Sequence, residues 1–316
     1  MKIISFLFAL LLSGAAAAQG YPTKTVRFVS GVTPGAASDT MARILAEKLS
    51  PILGQPVIVE NRLGAGGLVG ARYVAQQAEP DGHTIMMYAS AFTVAPLINP
   101  GVLDPKDLVA VATVATIPTV LIVPTEKPYK SVADLVAAAK AKPGEIVGTT
   151  AGIGSATHMN LERFRISAGV DVLRLHMKGA PEAFTEVLTG RADFYFALPF
   201  QVRGAAKGGK VRPLAVGSPK RSALFPDVPT TVEAGYPNSD YNFWLGTLVA
   251  ARTPRDIVLR LHREFNTAVN APDVRERIVK TGADPLTLTL PEFEAMIRQE
   301  FESNAKLIKA AGIKAN

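Results

Sequence analysis

The sequence predicts an α/β protein whose two lobes flank a ligand cleft, and three observations carry that reading. Short β-branched runs alternate with runs of helical period, turn residues separate them, and the alternation falls into two series of similar size with no flexible linker between them. Alternation of this kind argues for largely parallel sheets. The first strand is Thr25 to Val29. After Gly31-Val32-Thr33-Pro34-Gly35 a helix starts near Ser38 or Asp39, places Met41, Leu45, Leu49 and Ile52 on one face, and stops at Gly54. Val57 to Val59 is a strand, Gly64-Ala65-Gly66-Gly67 a loop, Leu68 to Ala78 a helix and Thr84 to Tyr88 a strand. Strands between Val109 and Val123 are interrupted at Pro118. Ser131 caps a helix whose Val132, Leu135, Val136 and Ala139 face inward, and Pro143-Gly144 ends it.

The second series has strands at Ile146 to Thr149, Val172 to His176, Asp193 to Ala197 and Arg212 to Val216, with helices near Thr157 to Ser167 and Pro181 to Leu188. Tyr241 to Val249 returns as a strand and only helices follow. The last opens on Thr289-Leu290-Pro291-Glu292, a capping box, and carries Phe293, Met296, Ile297 and Phe301. This organisation divides the chain into one lobe of residues 19–118 and 232–316 and a second of residues 119–231. The cleft between lobes is where a ligand is expected, beyond the carboxyl ends of the strands.

Composition limits the chemistry. The 316 residues include no Cys, so disulfides, thiolate metal sites and cysteine nucleophiles are all excluded. The formal charge of +7 suits an acidic ligand, nucleic acid or a membrane surface without choosing among them. Residues 1–18 read as a secretory signal: Lys2 supplies the positive start, Ile3 to Leu12 the apolar run, and Ala16-Ala17-Ala18 the small residues before Gln19. About ten apolar residues fall short of the roughly 20 that span hydrocarbon. Cleavage near Ala18 and export from the cytoplasm are therefore expected, and an exported chain does not meet genomic nucleic acid. The other apolar stretch, Val109 to Pro124, carries Thr113, Thr116, Pro118 and Thr119 and reads as buried strands.

Two strand-to-helix loops stand out as ligand-holding candidates. The first, Gly31 to Asp39, holds Thr33, Ala36, Ala37 and Ser38, whose small side chains leave the backbone open. Unpaired amides at a helix start carry positive partial charge and can hold a carboxylate without a cation. Asp39 in the first turn either caps the helix or pairs with Arg43, four residues on. The second loop, Thr149 to His158, repeats the logic with Thr150, Gly154, Ser155 as N-cap, and His158 in the first turn, where the dipole favours a neutral ring. Ser90 and the Lys178-Gly179-Ala180-Pro181 turn are further strand-end loops, with Pro181 suited to a first helical position. Lys178 reads first as a solvated surface charge and Trp244 as core or hinge packing.

Competing chemistries fail on spacing. A nucleophile elbow G-x-S-x-G would need glycines where Ile153 and Thr157 stand, although Ser155 and His158 are near enough to keep a secreted serine hydrolase as the alternative. G-x-G-x-x-G fails at Val69 and at Thr157, and no phosphate-binding G-x-x-x-x-G-K-[ST] occurs. His83, His158, His176 and His262 form no H-x-x-x-H pair, so neither a metal nor another cofactor is expected. Lys207, Lys210, Arg212, Lys220 and Arg221 lack interleaved aromatics and read as a solvated rim.

A run of short motifs resembles one family. Pro34-Gly35-x-x-Ser38-Asp39-x-x-Ala42-Arg43 is followed by Gly54-Gln55-Pro56-Val57-x-Val59-Glu60-Asn61-Arg62, Gly64-Ala65-Gly66-Gly67 and Pro80-Asp81-Gly82-His83-Thr84. Gly152-x-Gly154-Ser155-x-x-His158, Lys178-Gly179, Leu188-x-Gly190, Leu214-Ala215-Val216, Val228-Pro229-Thr230 and Glu233-Ala234-Gly235 continue it over essentially the whole mature chain. The series resembles the Bug family, extracytoplasmic solute receptors associated with tripartite tricarboxylate transporters. The resemblance implies a type II periplasmic-binding-protein fold that closes on a small organic carboxylate, and no enzyme. It implies one pincer at Thr33, Ala36, Ala37, Ser38 and Asp39, another at Thr150, Gly154, Ser155 and His158, and membrane transporter subunits as partners. A periplasmic location and a monomer are expected with it, and a sensor kinase is the alternative partner. The family's first loop usually begins Pro-Phe-Pro with paired glycines, whereas here it reads Gly31-Val32-Thr33 and Gly35-Ala36. Many members carry an acid where this chain has Ala197, so a ligand without an amino group is expected.

Overall fold

A computed structural model of the chain describes residues 20–241 and 243–314, and the expected leader, residues 1–18, lies outside them. Two sheets form the scaffold. The first contains β1 (Val26–Ser30), β2 (Val57–Asn61), β3 (Thr84–Ala89), β4 (Leu108–Thr116), β10 (Trp244–Ala250) and β11 (Asp284–Pro285), in the order β11-β4-β10-β3-β1-β2. The second contains β5 (Val120–Pro124), β6 (Val147–Thr150), β7 (Leu173–His176), β8 (Phe194–Ala197) and β9 (Val211–Val216), in the order β7-β6-β8-β5-β9.

The sheets are mixed, not largely parallel. β1 runs parallel to β2 and β3, and β6 parallel to β7 and β8, as the βα alternation requires. The reversed strands are those entering from the other half of the molecule: β10 is antiparallel to β3 and β4, and β5 is antiparallel to β8 and β9. A strand that crosses between sheets arrives without a helix to turn it round, so it meets its neighbours head to tail. Short β11, an addition to the helices expected after residue 249, pairs antiparallel with β4.

Helices follow the sequence closely. α1 (Ala37–Leu53) buries Met41, Leu45 and Leu49 and ends on Gly54, left-handed at φ 69° as a C-cap glycine should be. The helix expected over Leu68–Ala78 is α2 (Leu68–Arg72) running into a π turn, Tyr73–Gln77, whose extra residue is taken up by Ala78 N–H bonding Tyr73 O at 2.9 Å. A short α3 (Ala95–Ile98) follows β3. α4 (Val132–Ala141) carries the Ser131–Asp134 capping box. α5 (Ala156–Ala168), α6 (Ala180–Leu188) and α7 (Pro199–Lys207) each leave the carboxyl end of a strand of the second sheet. α8 (Arg255–Asn270), α9 (Pro272–Lys280) and α10 (Leu290–Ala311) cover the first sheet, α10 starting in the expected Thr289–Glu292 box.

Each sheet has its own apolar core. Phe28 and Phe265 are fully buried with ring centroids 5.4 Å apart in the first, and Phe164, Phe194 and Phe196 meet edge to face in the second. Each such buried ring contributes roughly 1.5–3 kcal/mol. The two crossings lie side by side, Ile117 N–H bonding Phe243 O at 2.8 Å. Gly217 sits between them, its N–H on Thr119 O at 2.8 Å and its carbonyl on Tyr241 N at 2.9 Å. Any side chain at Gly217 would collide with Asn160 and Thr119, so the crossing tolerates only glycine there. Trp244, buried as expected, donates Nε1–H to Glu300 of α10 at 2.7 Å. From the same helix Ser303 accepts from Arg163 of α5 at 2.8 Å, which ties α10 to the opposite sheet.

Candidate functional site

The carboxyl ends of both sheets open on one cavity of about 1130 Å³. Small-molecule sites usually measure ~300–1,000 Å³. The first loop reaches it by a backbone-to-backbone contact: a Cβ on Gly31 would lie 2.5 Å from Gly67 Cα, so glycine lets the β1–α1 loop rest on the turn before α2. Gly35 then takes φ +83°, and Thr33, Ala36 and Ala37 face the cavity. Ala36 is the N-cap of α1 and offers no side-chain cap, so the first amides of a 17-residue helix are left without a partner in the helix.

Ser38 and Asp39 do not line the cavity; both lie buried behind it. The Asp39 carboxylate is fully engaged inside the protein. Oδ2 accepts from Gly35 N–H at 2.8 Å and Arg43 Nε at 2.9 Å, and Oδ1 from Asn61 Nδ2 at 2.8 Å and Arg43 Nη2 at 3.0 Å. Burial pushes its pKa up, but the hydrogen bonds of Arg43, Gly35 and Asn61 outweigh that and hold it below the ordinary carboxylate value. Asp39 thus shapes the loop, as its spacing to Arg43 suggested, and does not reach the ligand space.

The second loop brings Gly154 and Ser155 to the same cavity, opposite the first. Ser155 caps α5, its Oγ accepting His158 N–H at 3.2 Å. Several loop amides expected to be open are taken by the protein's own side chains. Ala151 N–H bonds Thr157 Oγ1 at 2.9 Å, Gly152 N–H bonds Thr150 Oγ1 at 3.3 Å, and Gly154 N–H bonds His158 Nδ1 at 3.0 Å. What remains for a ligand is the start of α5 itself.

Thr150 and His158, expected in the second pincer, do not line the cavity. Thr150 is buried with Oγ1 2.8 Å from His176 Nδ1. The His158 ring packs edge-on against His176, centroids 4.5 Å apart, with Nε2 3.9 Å from Glu162. Burial, then the charges of His176, Arg174 and Arg165, lower its pKa to about 3, so the ring is neutral. Ser90 is likewise fully buried, its carbonyl accepting Thr93 Oγ1 at 2.8 Å, and stands outside the wall.

Gly179 does line the cavity, at the start of α6, and so does Lys178, which is solvent-exposed there as the sequence reading expected. Among the described residues Lys178 is the one charged residue of the wall, and no Asp or Glu joins it. Leu63, Ile117, Leu198, Phe200, Gln201 and Thr281 were missed. Position at the carboxyl end of a strand would have found Leu198 and Phe200, which follow β8 directly. No group of three or more potential metal ligands exists among the described residues, and no described helix is long and apolar enough to cross a membrane.

The geometry agrees with what similar proteins report. The family model described as Tripartite tricarboxylate transporter family receptor matches residues 41–313. Protein BugT of Bordetella pertussis is 32% identical over 309 residues, covering 96% of this chain and 94% of that protein. The structure of the periplasmic binding protein BugD superposes with a TM-score of 0.79 at 30% identity, covering 94% of this chain and all of that one. The R. palustris protein Rpa4515, solved with adipate, superposes at 0.80 with 28% identity, covering 93% and 99%. With its two α/β lobes arranged as in these periplasmic binding proteins, the chain belongs to the tripartite tricarboxylate transporter receptor family, the family of the Bug proteins.

Proposed function

We propose that this protein is a periplasmic solute-binding receptor that captures a small carboxylate lacking an ammonium group, closes its lobes on it, and presents it to a tripartite tricarboxylate-type transporter. The observation that carries the reading is the cavity wall: the starts of α1 and α5 face each other across it, and among the described residues Lys178 adds the one positive side chain and no acid lines it to receive an ammonium. Adipate in Rpa4515 supports the ligand class. Thr33, Ala36, Ala37, Gly154, Ser155 and Gly179 are the contact residues in this proposal, with Ser38, Asp39, Ser90, Thr150 and His158 supporting them from behind.

The lobe division at 119 and 232 belongs to the same proposal. Packing of Ala234 and Tyr236 on the second core favours moving the return border towards Tyr241. Export, cleavage near Ala18, a monomeric state, and a membrane transporter in preference to a sensor kinase complete it. Hydrolysis gains nothing from the site geometry. Ser155 Oγ bonds the backbone of His158, while the ring that would serve as base spends Nδ1 on Gly154 N–H.

A thermal-shift screen of the mature protein against mono-, di- and tricarboxylates and amino acids tests the proposal. Stabilisation by plain carboxylates is expected; tight binding of an amino acid with no response to plain acids overturns it. Turnover of a chromogenic ester, abolished in Ser155→Ala, would instead establish the hydrolase.

A further inference from the structure

The cavity wall is not uniformly polar. Phe200 is 59% exposed, more than any other large apolar side chain among the described residues, and Leu63 is 50% exposed. Both line the cavity, Leu63 from the loop after β2 and Phe200 from the first turn of α7, so each lobe presents one large uncovered apolar group. Neither sits on a loose segment. Leu198, two residues before Phe200, is buried in the core of the first sheet, and Gly282 approaches so closely that an added Cβ would lie 3.2 Å from Pro199 Cβ and 3.5 Å from Phe200 N. Arg62, beside Leu63, stacks on the Tyr73 ring at 3.5 Å and pairs with Glu60 at 2.6 Å. Anchored backbones that hold bare apolar side chains toward one cavity mark surface awaiting an apolar partner.

Charge recognition is confined to one group of residues. The start of α7 has fewer amides to offer an anion, because Leu198 N–H is taken by Gln201 Oε1 at 3.2 Å and Pro199 has no N–H. At α6 the Glu182 carboxylate, which accepts Lys178 N–H at 3.1 Å, sets a negative charge in the first turn that disfavours an anion. That leaves the starts of α1 and α5 with the Lys178 ammonium, which forms no ion pair among the described residues. Lys178 lies beside the α5 loop: a Cβ on Gly152 would come within 3.2 Å of Met177 O. Apart from those groups the described wall offers a second carboxylate no cation, only apolar side chains such as Phe200 and Leu63 and neutral polar ones such as Asn99, Gln201 and Thr281, so its charge would be desolvated without a charged partner.

We infer that Leu63 and Phe200 form an apolar clamp, and that the ligand is a monocarboxylate with an uncharged ring or chain of about six or more carbons held between them. The inference rests on the carboxylate reading above and narrows it. It is tested by calorimetry on the whole mature protein with acetate, L-malate, succinate, octanoate and 3-phenylpropionate as probes. Octanoate or 3-phenylpropionate is expected to bind at least about tenfold more tightly than the three small acids, with Phe200→Ala and Leu63→Ala each weakening that binding about tenfold. Phe200→Leu, which keeps an apolar side chain, is expected to retain octanoate binding, and melting curves confirm that the variants fold. Preference for malate or succinate, unaffected by Phe200→Ala, overturns the clamp and leaves the carboxylate reading standing. Failure of every acid to bind overturns both.

Discussion

Gly154 of the second lobe seats directly against Ile98 of the first: a Cβ built on Gly154 would lie 2.8 Å from Ile98 Cδ1 and 3.4 Å from Val94 Cγ1. Gly154 also holds φ +74°, a conformation in which a side chain meets its own backbone. The glycine before Ser155 therefore sets how closely the second pincer approaches α3 of the first lobe, as well as allowing the turn that starts α5.

Gly154→Ala is expected to lower stability by about 1–2 kcal/mol from the backbone conformation alone. It should also weaken ligand binding, because the added methyl pushes α5 from Ile98. Urea unfolding and calorimetry on one preparation check both effects. Ile98→Ala in the same chain should recover part of the affinity but not the backbone cost.

Ser155 caps α5 and, in the proposed site, also contacts the ligand, and substitution can separate the two. Ser155→Ala removes the cap on His158 N–H, costing about 1 kcal/mol of stability, and a ligand hydrogen bond, costing roughly 1–2 kcal/mol of affinity. Ser155→Asp keeps a cap acceptor but puts negative charge where the carboxylate should sit. It is expected to melt near the wild-type temperature and to lose binding. Unchanged affinity in Ser155→Ala would reduce the second pincer to scaffold.

Asp39 links loop shape to acid stability. Its folded pKa lies below the ordinary value, so its stabilisation is complete above the unfolded value of about 3.9 and is lost as pH falls through the folded one. Asp39→Ala is expected to cost about 2 kcal/mol at neutral pH, a figure moderated because Arg43 is half exposed. Asp39→Asn should also show a shallower loss of stability below pH ~4. Unfolding curves from pH 7 to pH 2.5 check this.

His158 acts over a higher pH range. Its folded pKa is lowered to about 3, whereas in the unfolded chain it is about 6.5. Between those values the unfolded chain takes up a proton and the folded chain does not, so stability falls as pH drops from about 6.5 toward 3. His158→Gln, which keeps an acceptor within reach of Gly154 N–H, should flatten that slope when unfolding is followed at pH 7, 5.5 and 4.5.

Local physics was legible in the sequence. The caps at Ser131, Ser155 and Thr289, the stop at Gly54, the buried stripe of α1 and the pairing of Asp39 with Arg43 each depend on residues within a few positions of one another. The placing of two strand-to-helix loops at one cleft was legible in the same way, since Thr33, Ala36, Ala37, Gly154 and Ser155 line one cavity. The reversed sense of β5 and β10 depended instead on which sheet a crossing strand joins, and no local pattern encodes that. The same holds for the wall. Burial of His158 depends on His176 and Glu162, and exposure of Lys178, Leu63 and Phe200 to the ligand space depends on how two separately built sheets meet. Periodicity and capping are settled by neighbours in sequence, whereas a cleft is made by long-range packing, and only the tertiary structure decided which side chains face it.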